Sequence, residues 1–480
     1  MTNVQNCTEE QLAQWRQKTD DRIAEIVHSP NTEFPDATET YYVSADGCDS
    51  ADGRSPQTPW RTLDKVNSAH LSPGSVIRFH RGDIWRGQIQ AREGVTYTAY
   101  GSGEKPRLYG SPEDGADPDK WYATEKENIW RYSGWKEDVG TLVFNHGEAH
   151  GIKCIFRREA DGSTWNNTTG EPFSTWRDLT TDLHFWHDLT DGNIYLYSPE
   201  NPGSRFSSIE FSVKRHGFTT TGPNVKIDNF CVCYVGSHGV GTGTTQGLTV
   251  QNCVFRWIGG SIQSEGIFGR NYGTRYGNAV EIYGGCNGYT VRNCWFFQIY
   301  DAAVTQQFNI GDCERAPGAD FSQKNILYSG NVMEYCNYSI EYFLIAVPKD
   351  NPSHIENFVI EDNFMWYAGR GFCTQRPDKA GSAHIKSWNT DNPTVNYLIR
   401  NNLMVDSFNM LVHINAAKPG PDGKDSMPVL ENNHFAARTG DSFGILAFRD
   451  TTQQACSPKI VSYLGEKSRG DTLWFIPQNS

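Results

Sequence analysis

The chain has 480 residues, with 46 Gly, 13% aromatic residues and a formal net charge of −13. That charge excludes the basic surface a nucleic-acid partner requires, and no run approaches the roughly 18 apolar residues of a membrane span. Abundant Gly and aromatic residues without long helical periodicity favour an all-β protein.

The first residues, MTNVQNCTEEQLAQW, lack a basic segment followed by an apolar one, so no secretory leader is predicted here. The 12 Cys are scattered and form no CxxC…CxxC metal framework. Together these predict a reduced, cytoplasmic protein, or a secreted one if a leader has been removed. Residues 8–27 place Leu12, Trp15, Ile23 and Ile26 at near-helical spacing, with Thr8 as N-cap and Glu9 and Glu10 in the first turn. A peripheral helix is predicted within an N-terminal extension, 1–39.

Residues 40–110 change character. A strand (TYYV) precedes a turn-rich loop and then a short amphipathic helix with Leu63, Val66 and Leu71 on one side. Two further strands, PGSVIRFH and GVTYTAY, follow. In the loop, Asp46, Asp49 and Asp52 allow either a Ca²⁺ site or plain Asp-Gly turns; no metal or cofactor is assigned. The order Tyr41-Tyr42-Val43-Ser44, Asp49-Ser50-Ala51-Asp52-Gly53, Pro59-Trp60-Arg61-Thr62-Leu63 and Pro73-Gly74-Ser75-Val76-Ile77 resembles the opening of bacterial right-handed parallel β-helix carbohydrate enzymes of the pectate-lyase-like group. The resemblance implies that the short helix plugs the open end of a coil, where core and strand edges would otherwise be bare.

Residues 111–215 interrupt this pattern. LHFWHDLTDGNIYLYSPENP reads as a hairpin around an Asp-Gly turn. Trp121, Trp130, Trp135, Trp165, Trp176 and Trp186 surround it. A small β insertion packed on the coil is predicted, its Trp serving either as module core or as platforms for sugars.

From residue 216 a repeat is visible. Aligning KIDNFCV, TVQNCVF, TVRNCWF, YSGNVM, IEDNFM, IRNNLM and LENNHF brings Phe230, Cys253, Cys294, Asn331, Asn363, Asn402 and Asn433 into register, at steps of 23, 41, 37, 32, 39 and 31 residues. Unequal steps describe a coil of constant section with loops of varying size. Stacked inward amides bond one another and the turn backbone. The predicted fold is all-β, a right-handed parallel β-helix over 216–445, with a tail, 446–480, covering the far end.

The second strand of each turn carries the chemistry. Asp301 lies seven residues past Cys294, and Glu341 ten past Asn331. Equivalent positions on successive turns lie about 4.8 Å apart, so the two acids should share a groove at the roughly 5–9 Å that glycosidic cleavage needs. Either acid alone reads equally well as a turn cap or a surface ion-pair partner. Glu281 is the third candidate acid. Arg376, Asp378 and Lys379 on the next loop, then His384, Lys386 and Trp388, and His413 on the turn after, form a second constellation. Gln306, Gln307 and Tyr342 are expected to fill the space between. Acids, amides, cations and aromatics together point to a carbohydrate substrate, with no nucleic acid and no membrane; a homo-oligomer is compatible with the sequence. The carboxylate pair on adjacent turns points to a glycoside hydrolase using Asp301 and Glu341. A polysaccharide lyase acting on a uronate glycan, with Arg376, Lys379 or Lys386 neutralising charge, and a non-catalytic carbohydrate-binding coil stay open beside it.

Overall fold

The computed structural model describes residues 4–265, 272–312, 318–377, 381–416, 427–448 and 468–477. Short β-branched and aromatic runs separated by Asn and Gly favour strands joined by tight bends. After each circuit of three strands the chain pairs in parallel with its own earlier circuit. The first face runs from Thr40–Val43 through Val76–His80, Thr96–Tyr100, Lys226–Asp228, Cys286–Arg292 and Ile355–Glu361 to Ser468–Arg469. The second runs from Ile84–Arg86 through Cys231–Val235, Val254–Ile258, Phe364–Ala368 and Leu403–Ser407 to Thr472–Phe475. The third runs from Ile89–Ala91 through Val240–Thr242, Val280–Tyr283, Ala383–Thr390 and Met410–Ala416 to Gly444–Phe448. Trp295–Asn309 and Val332–Ile345 bend through both the second and third faces, which joins the two into one continuous sheet. This is a right-handed parallel β-helix. One apolar core fills it, from Tyr41 and Val43 at the first turn to Leu473 at the last.

From Asp228 onward, each bend from the first face to the second uses the same two positions. The first adopts a left-handed backbone: Asn229, Asn252, Asn293, Gly330, Asp362, Asn401, Asn432 and Gly470 have φ between 53° and 76°. Asn, Asp and Gly tolerate this conformation best. The second residue points inward and stacks. Asn331, Asn363 and Asn402 each accept, on Oδ1, the backbone N–H of the residue one turn earlier at 3.0 Å. The column continues through Asn433 to Asp471, whose Oδ1 accepts the Asn433 N–H at 2.7 Å. The side-chain amides also donate along the stack, Asn363 Nδ2 to Asn402 Oδ1 at 2.9 Å. Cys253 and Cys294 hold the earlier positions with their thiols on backbone carbonyls at 3.0 and 3.3 Å. A second amide column, Asn287–Asn325–Asn357–Asn396, runs down an exposed corner.

Helix α1 (Glu9–Val27), capped by Thr8, lies along the outside of the second face. Its 19 residues extend about 28 Å, close to six turns of the coil at about 4.8 Å each. Trp15 packs with Trp366, Leu403 and Ala436, and Ile26 with Val254 and Val332. Arg16 pairs with Glu334 at 2.5 Å, and Trp366 Nε1 donates to Thr19 at 2.9 Å. Before α1, Gln5–Asn6 adds a parallel strand beyond Trp474 and Phe475. The chain therefore starts at the far end of the coil and returns along its side. Helix α2 (Leu63–Ser68), capped by Thr62, buries Leu63 and Val66 against Val43, Trp60 and Ile77, at the first turn.

One expectation changes here, and one open alternative narrows. Within the tail 446–480, Thr472–Phe475 is itself a turn of the coil rather than a cover for its end, and the edge beyond it is taken by the N-terminal strand; residues 449–467 lie outside the described residues. In the Asp46–Gly53 loop, Asp49 accepts the N–H groups of Arg61 and Thr62 at 2.8 and 3.0 Å and the Thr62 hydroxyl at 2.6 Å. Asp52 accepts Arg54 N–H and the Thr58 hydroxyl. Both carboxylates thus brace their own turn.

Residues 111–215 leave the coil between the second and third faces. Trp121–Ala123, Ile129–Ser133, Asn193–Tyr197, His184–Asp188 and Ile152–Lys153 form a five-stranded sheet with its own cores, one around Tyr132, Phe144 and Phe211, the other around Phe173, Trp176 and Tyr195. Trp176 stacks flat on Tyr195 at 4.7 Å. Trp121, Trp130, Trp135, Trp176 and Trp186 are packing groups of these cores. No helix among the described residues is long and apolar enough to cross a membrane.

The inward amide column should be a main determinant of stability. Asn363→Ala removes the acceptor of the Asn331 N–H and the donor to the Tyr328 carbonyl in a dry core and takes one bond each from the Asn331 amide and Asn402 Oδ1, a loss of roughly 2–4 kcal/mol. Asn357→Gly, which removes an outer amide and keeps the left-handed backbone easy, should cost less than about 1 kcal/mol. Urea unfolding of both variants measures this; equal losses would refute the assignment.

Candidate active site

Strand alternation decides what faces outward on the third face. Val280, Val304, Ile340, Ile385 and Val412 point into the core, so their neighbours Glu281, Thr305, Glu341, Lys386 and His413 form an outward column on successive turns. Two residues further along each strand, Tyr283, Gln307 and Phe343 form a second outward column. Trp388 joins it at a shift in register.

Asp301 arrives by another route. Ile299 pairs with Cys336 and Ala302 with Tyr338, so the lower strand carries one extra residue. This bulge turns the chain at the corner between the second and third faces and sets Tyr300 and Asp301 there. The loop after Phe364–Ala368 covers the corner and brings Arg376 Nη1 to 2.6 Å from Asp301 Oδ1. The Arg376 guanidinium also lies over the rings of Tyr300 and Tyr338, at 5.6 and 5.7 Å.

Each remaining acid has distinct partners. Glu341 Oε1 accepts the Trp388 indole N–H at 2.5 Å. Glu281 Oε2 accepts from the Asn278 amide and, at 3.2 Å, from Gln307 Nε2. His238 Nδ1 lies 3.5 Å from the same oxygen, but it accepts the Asn278 N–H at 3.0 Å. That bond places the proton of a neutral ring on Nε2. Lys386 Nζ donates to His413 Nδ1 at 2.7 Å and lies 4.1 Å over the Trp388 ring.

Burial controls the charges. Loss of water raises Glu281 to about 7, against the donors that hold its carboxylate. Glu341 rises to about 8, first from burial and then from the negative charge of Asp301; Trp388, Arg376 and Lys386 pull the other way. Burial lowers His238 and His413 to about 4, the latter helped by Lys386, so both rings are neutral at pH 7. Thr305 stands between Glu281 and Glu341, fully buried, with no hydrogen-bond partner for its hydroxyl. Asn337, beside Tyr338 on the turn above Asp301, is equally buried and its amide is unbonded. Unpaired buried polar groups are costly and point to a ligand or to water.

The insertion anchors this corner. Gln375 Oε1 accepts the Lys153 N–H at 3.0 Å and both Arg275 Nη groups at 3.3 Å, while its Nε2 donates to Gly151 O at 3.0 Å. Arg275 also donates to the carbonyls of Gly140 and Gly260. Asp138 binds the Lys153 ammonium and accepts Ile262 N–H at 2.6 Å. The module, the paired strands Ser261–Glu265 and Gly273–Tyr276, and Gln375 are thereby fastened together one residue away from Arg376. A small polar pocket lies in this seam, lined in part by Asn167, Thr274, Arg275, Tyr300 and Arg376.

Of the residues expected from the sequence, the structure brings together Asp301, Glu341, Glu281, Gln307, Arg376, Lys386, Trp388 and His413. Gln306 and Tyr342 are corrections. Both are buried inside the coil, Gln306 accepting from the Tyr328 hydroxyl and Tyr342 packing on Phe358 and Tyr397. The reason is the strand period of two: Gln306 and Gln307, or Glu341 and Tyr342, cannot face the same side. His384 is also displaced from the groove. It is fully buried, with Nδ1 2.9 Å from the Ser339 hydroxyl and Nε2 3.0 Å from the Asp406 carbonyl. Asp378 and Lys379 lie outside the described residues. Sequence reasoning missed Thr305, Tyr283, Phe343, Asn278 and His238. Tyr283 and Phe343 follow from counting two residues on from Glu281 and Glu341, and Thr305 from the register position between those acids; Asn278 and His238 carry no comparable signal.

No family model and no curated protein sequence matches this chain. Its fold is shared with solved structures. The complex of XylC with xylose aligns over 83% of this chain and 69% of that one, at a TM-score of 0.51 and 12% identity. A glycoside hydrolase aligns over 92% and 97% at a TM-score of 0.45 and 10% identity. A rhamnogalacturonan lyase aligns over 83% and 74% at 0.40 and 10%. At such identities the likeness shows a common parallel β-helix architecture and no more.

The raised acids make a prediction about stability. An unfolded glutamate titrates near 4.3, whereas the folded ones titrate at about 7 and about 8. The folded state holds protons that the unfolded state has lost, so these groups reduce stability as pH rises from about 4 to 8. Glu281→Gln and Glu341→Gln should each stabilise the protein at pH 8, by on the order of 1–3 kcal/mol, and change it little at pH 4. Melting temperatures at both pH values test this; no gain at pH 8 would contradict it.

Proposed function

We propose that the protein is a glycoside hydrolase that cleaves an oligo- or polysaccharide with Asp301 and Glu341. The observation that carries this reading is the contrast within one buried acid pair. Arg376 stands against Asp301 at 2.6 Å and favours its charged form. Burial and the Asp301 charge keep Glu341 protonated up to about pH 8. Two carboxyls whose surroundings separate their protonation states are what acid and nucleophile, or acid and base, require.

In this mechanism Glu341 gives its proton to the leaving glycosidic oxygen. Its Trp388 bond fixes the carboxyl in place without taking that proton, because the indole only donates. Asp301 then attacks the anomeric carbon or draws a proton from the attacking water. Glu281, half-ionised near pH 7, and the Thr305 hydroxyl stand where sugar hydroxyls would pair with them, Gln307 beside them. The unbonded Thr305 oxygen supports this.

A second reading is a lyase acting on a uronate glycan by β-elimination. Lys386 favours it: a lysine bonded to neutral His413, one turn from Glu341, is a base and a carboxylate partner. The products differ, since elimination leaves an unsaturated sugar that absorbs in the ultraviolet and hydrolysis leaves only new reducing ends. A non-catalytic glycan-binding coil has no use for acids buried at a cost to stability.

Hydrolysis should follow a bell in pH, falling on the alkaline side as Glu341 loses its proton near pH 8. Asp301→Asn and Glu341→Gln should each lower turnover by about 10³-fold or more, with the fold intact by circular dichroism. Reducing-end release from a panel of plant and microbial glycans measures it. Near-parental turnover by either folded variant would remove that residue from the mechanism, and ultraviolet-absorbing product would replace hydrolysis by elimination.

A further inference from the structure

Five large aromatic side chains are exposed among the described residues: Tyr122, Phe156, Tyr283, Trp388 and Phe408. Tyr122 and Phe156 belong to the insertion, and Phe408 lies in the turn after Leu403–Ser407. Tyr283, at 38% exposure, and Trp388, at 36%, both stand on the third face beside the acids. They are not isolated. Tyr283 is in register with Gln307, Gln307 with Phe343, and Trp388 sits at the register shift opposite Phe343. Phe343 is half-buried. The column is therefore aromatic, amide, aromatic, aromatic, climbing three turns of the coil.

It is also tied to the acid column at two points. Trp388 donates to Glu341, and Gln307 donates to Glu281 at 3.2 Å. The ring of Tyr283 is held edge-on against Phe308 at 5.3 Å, so its position is set by packing. Exposed large aromatics normally bury their area against something. The occupant must be apolar on the side facing the rings and hydroxyl-rich on the side facing Glu281, Thr305 and Glu341. A pyranose has that combination, with C–H bonds on its faces and hydroxyls at its edge. One turn of the coil, about 4.8 Å, is also close to the length of one sugar residue in an extended chain.

We propose that Tyr283, Phe343 and Trp388 are sugar-binding positions in one row, with Gln307 filling the turn between Tyr283 and Phe343, and that the substrate is an unbranched oligosaccharide of at least four residues lying along the coil axis. Tyr283 binds the sugar furthest from Glu341, on the side of the earlier turns. This rests on the hydrolase reading above and adds the substrate's length and direction to it.

The test uses the full-length protein with cello-, xylo-, chito- and galacturono-oligosaccharides of two to six residues. Hydrolysis gives kcat/KM, and titration calorimetry on Glu341→Gln gives binding without turnover. For the parent, kcat/KM and affinity should rise with chain length up to four residues and then level off. Tyr283→Ala should weaken both by about tenfold for the long chains, the size of one buried aromatic contact, and by much less for disaccharides, while Tyr283→Trp restores them. Tyr122→Ala, on the insertion, should match the parent at every length. If Tyr283→Ala loses equally at all lengths, or nothing, the row of sugar positions is wrong and the hydrolase reading stands. If no probe is cleaved but long chains bind and Tyr283→Ala weakens them, the positions stand and hydrolysis is wrong. If no probe is cleaved or bound, both fail.

Discussion

Everything in this molecule depends on the spacing and register of its turns. Parallel backbone pairing sets the spacing, and the column from Cys253 to Asp471 sets the register. A side-chain amide suits this task because it has both a donor and an acceptor. Each Asn oxygen takes the N–H of the turn below while its nitrogen reaches the oxygen above and a nearby strand carbonyl. A slip of one residue would leave all of these buried groups unbonded and would turn each outward column inward. The column therefore does more than stabilise the coil. It determines that Glu281, Thr305, Glu341, Lys386 and His413 stand above one another.

That stacking explains why the site can be built from residues far apart in sequence. Each outward position on the third face has neighbours one turn away on either side. A repulsive pair such as Asp301 and Glu341 is thus held by the backbone, with no flexible loop on which either could swing away. Only the cation that offsets the charge comes from a loop. Arg376 is kept in place by Gln375, which the insertion grips at Gly151 and Lys153. The large excursion at 111–215 leaves the coil at the same corner where Asp301 sits, between the second and third faces. Most of its aromatic residues pack among themselves, and its contact with the corner combines the amide bonds of Gln375 with packing of Val143 and His150 against Trp257, Tyr300 and Phe372.

Much of the fold was legible because amide stacking leaves a residue-level trace. Asn331, Asn363, Asn402 and Asn433 align by eye, each preceded by Gly, Asp or Asn, the residues that accept a left-handed backbone. The same pairing identifies Gly470-Asp471 as the last member, which the alignment stopped short of. The site was legible in part. Asp301, Glu341 and Glu281 could be placed on neighbouring turns by counting, but counting gives no side of the strand unless one residue's direction is already known. Gln306 and Tyr342 were read outward for that reason, whereas His384 does share the side of Lys386 but is covered at the corner, bonded to Ser339 and the Asp406 carbonyl. The bulge at Tyr300–Asp301 was hidden too, because one extra residue in a 15-residue strand leaves no mark on composition.

The acids themselves oppose folding at neutral pH. Glu281 and Glu341 are buried where their charged forms are disfavoured, and Thr305 and Asn337 hold unbonded polar atoms beside them. A core of this length could have filled those positions with threonine or valine at no loss of register. The coil tolerates the arrangement because its stability comes from elsewhere: the inner amide column, the continuous apolar interior and α1 strapped across about six turns of the second face. The stabilising elements lie inside the coil and on the second face; the strained groups lie on the third. Separating the two lets the third face carry costly polar chemistry without loosening the backbone that keeps it aligned.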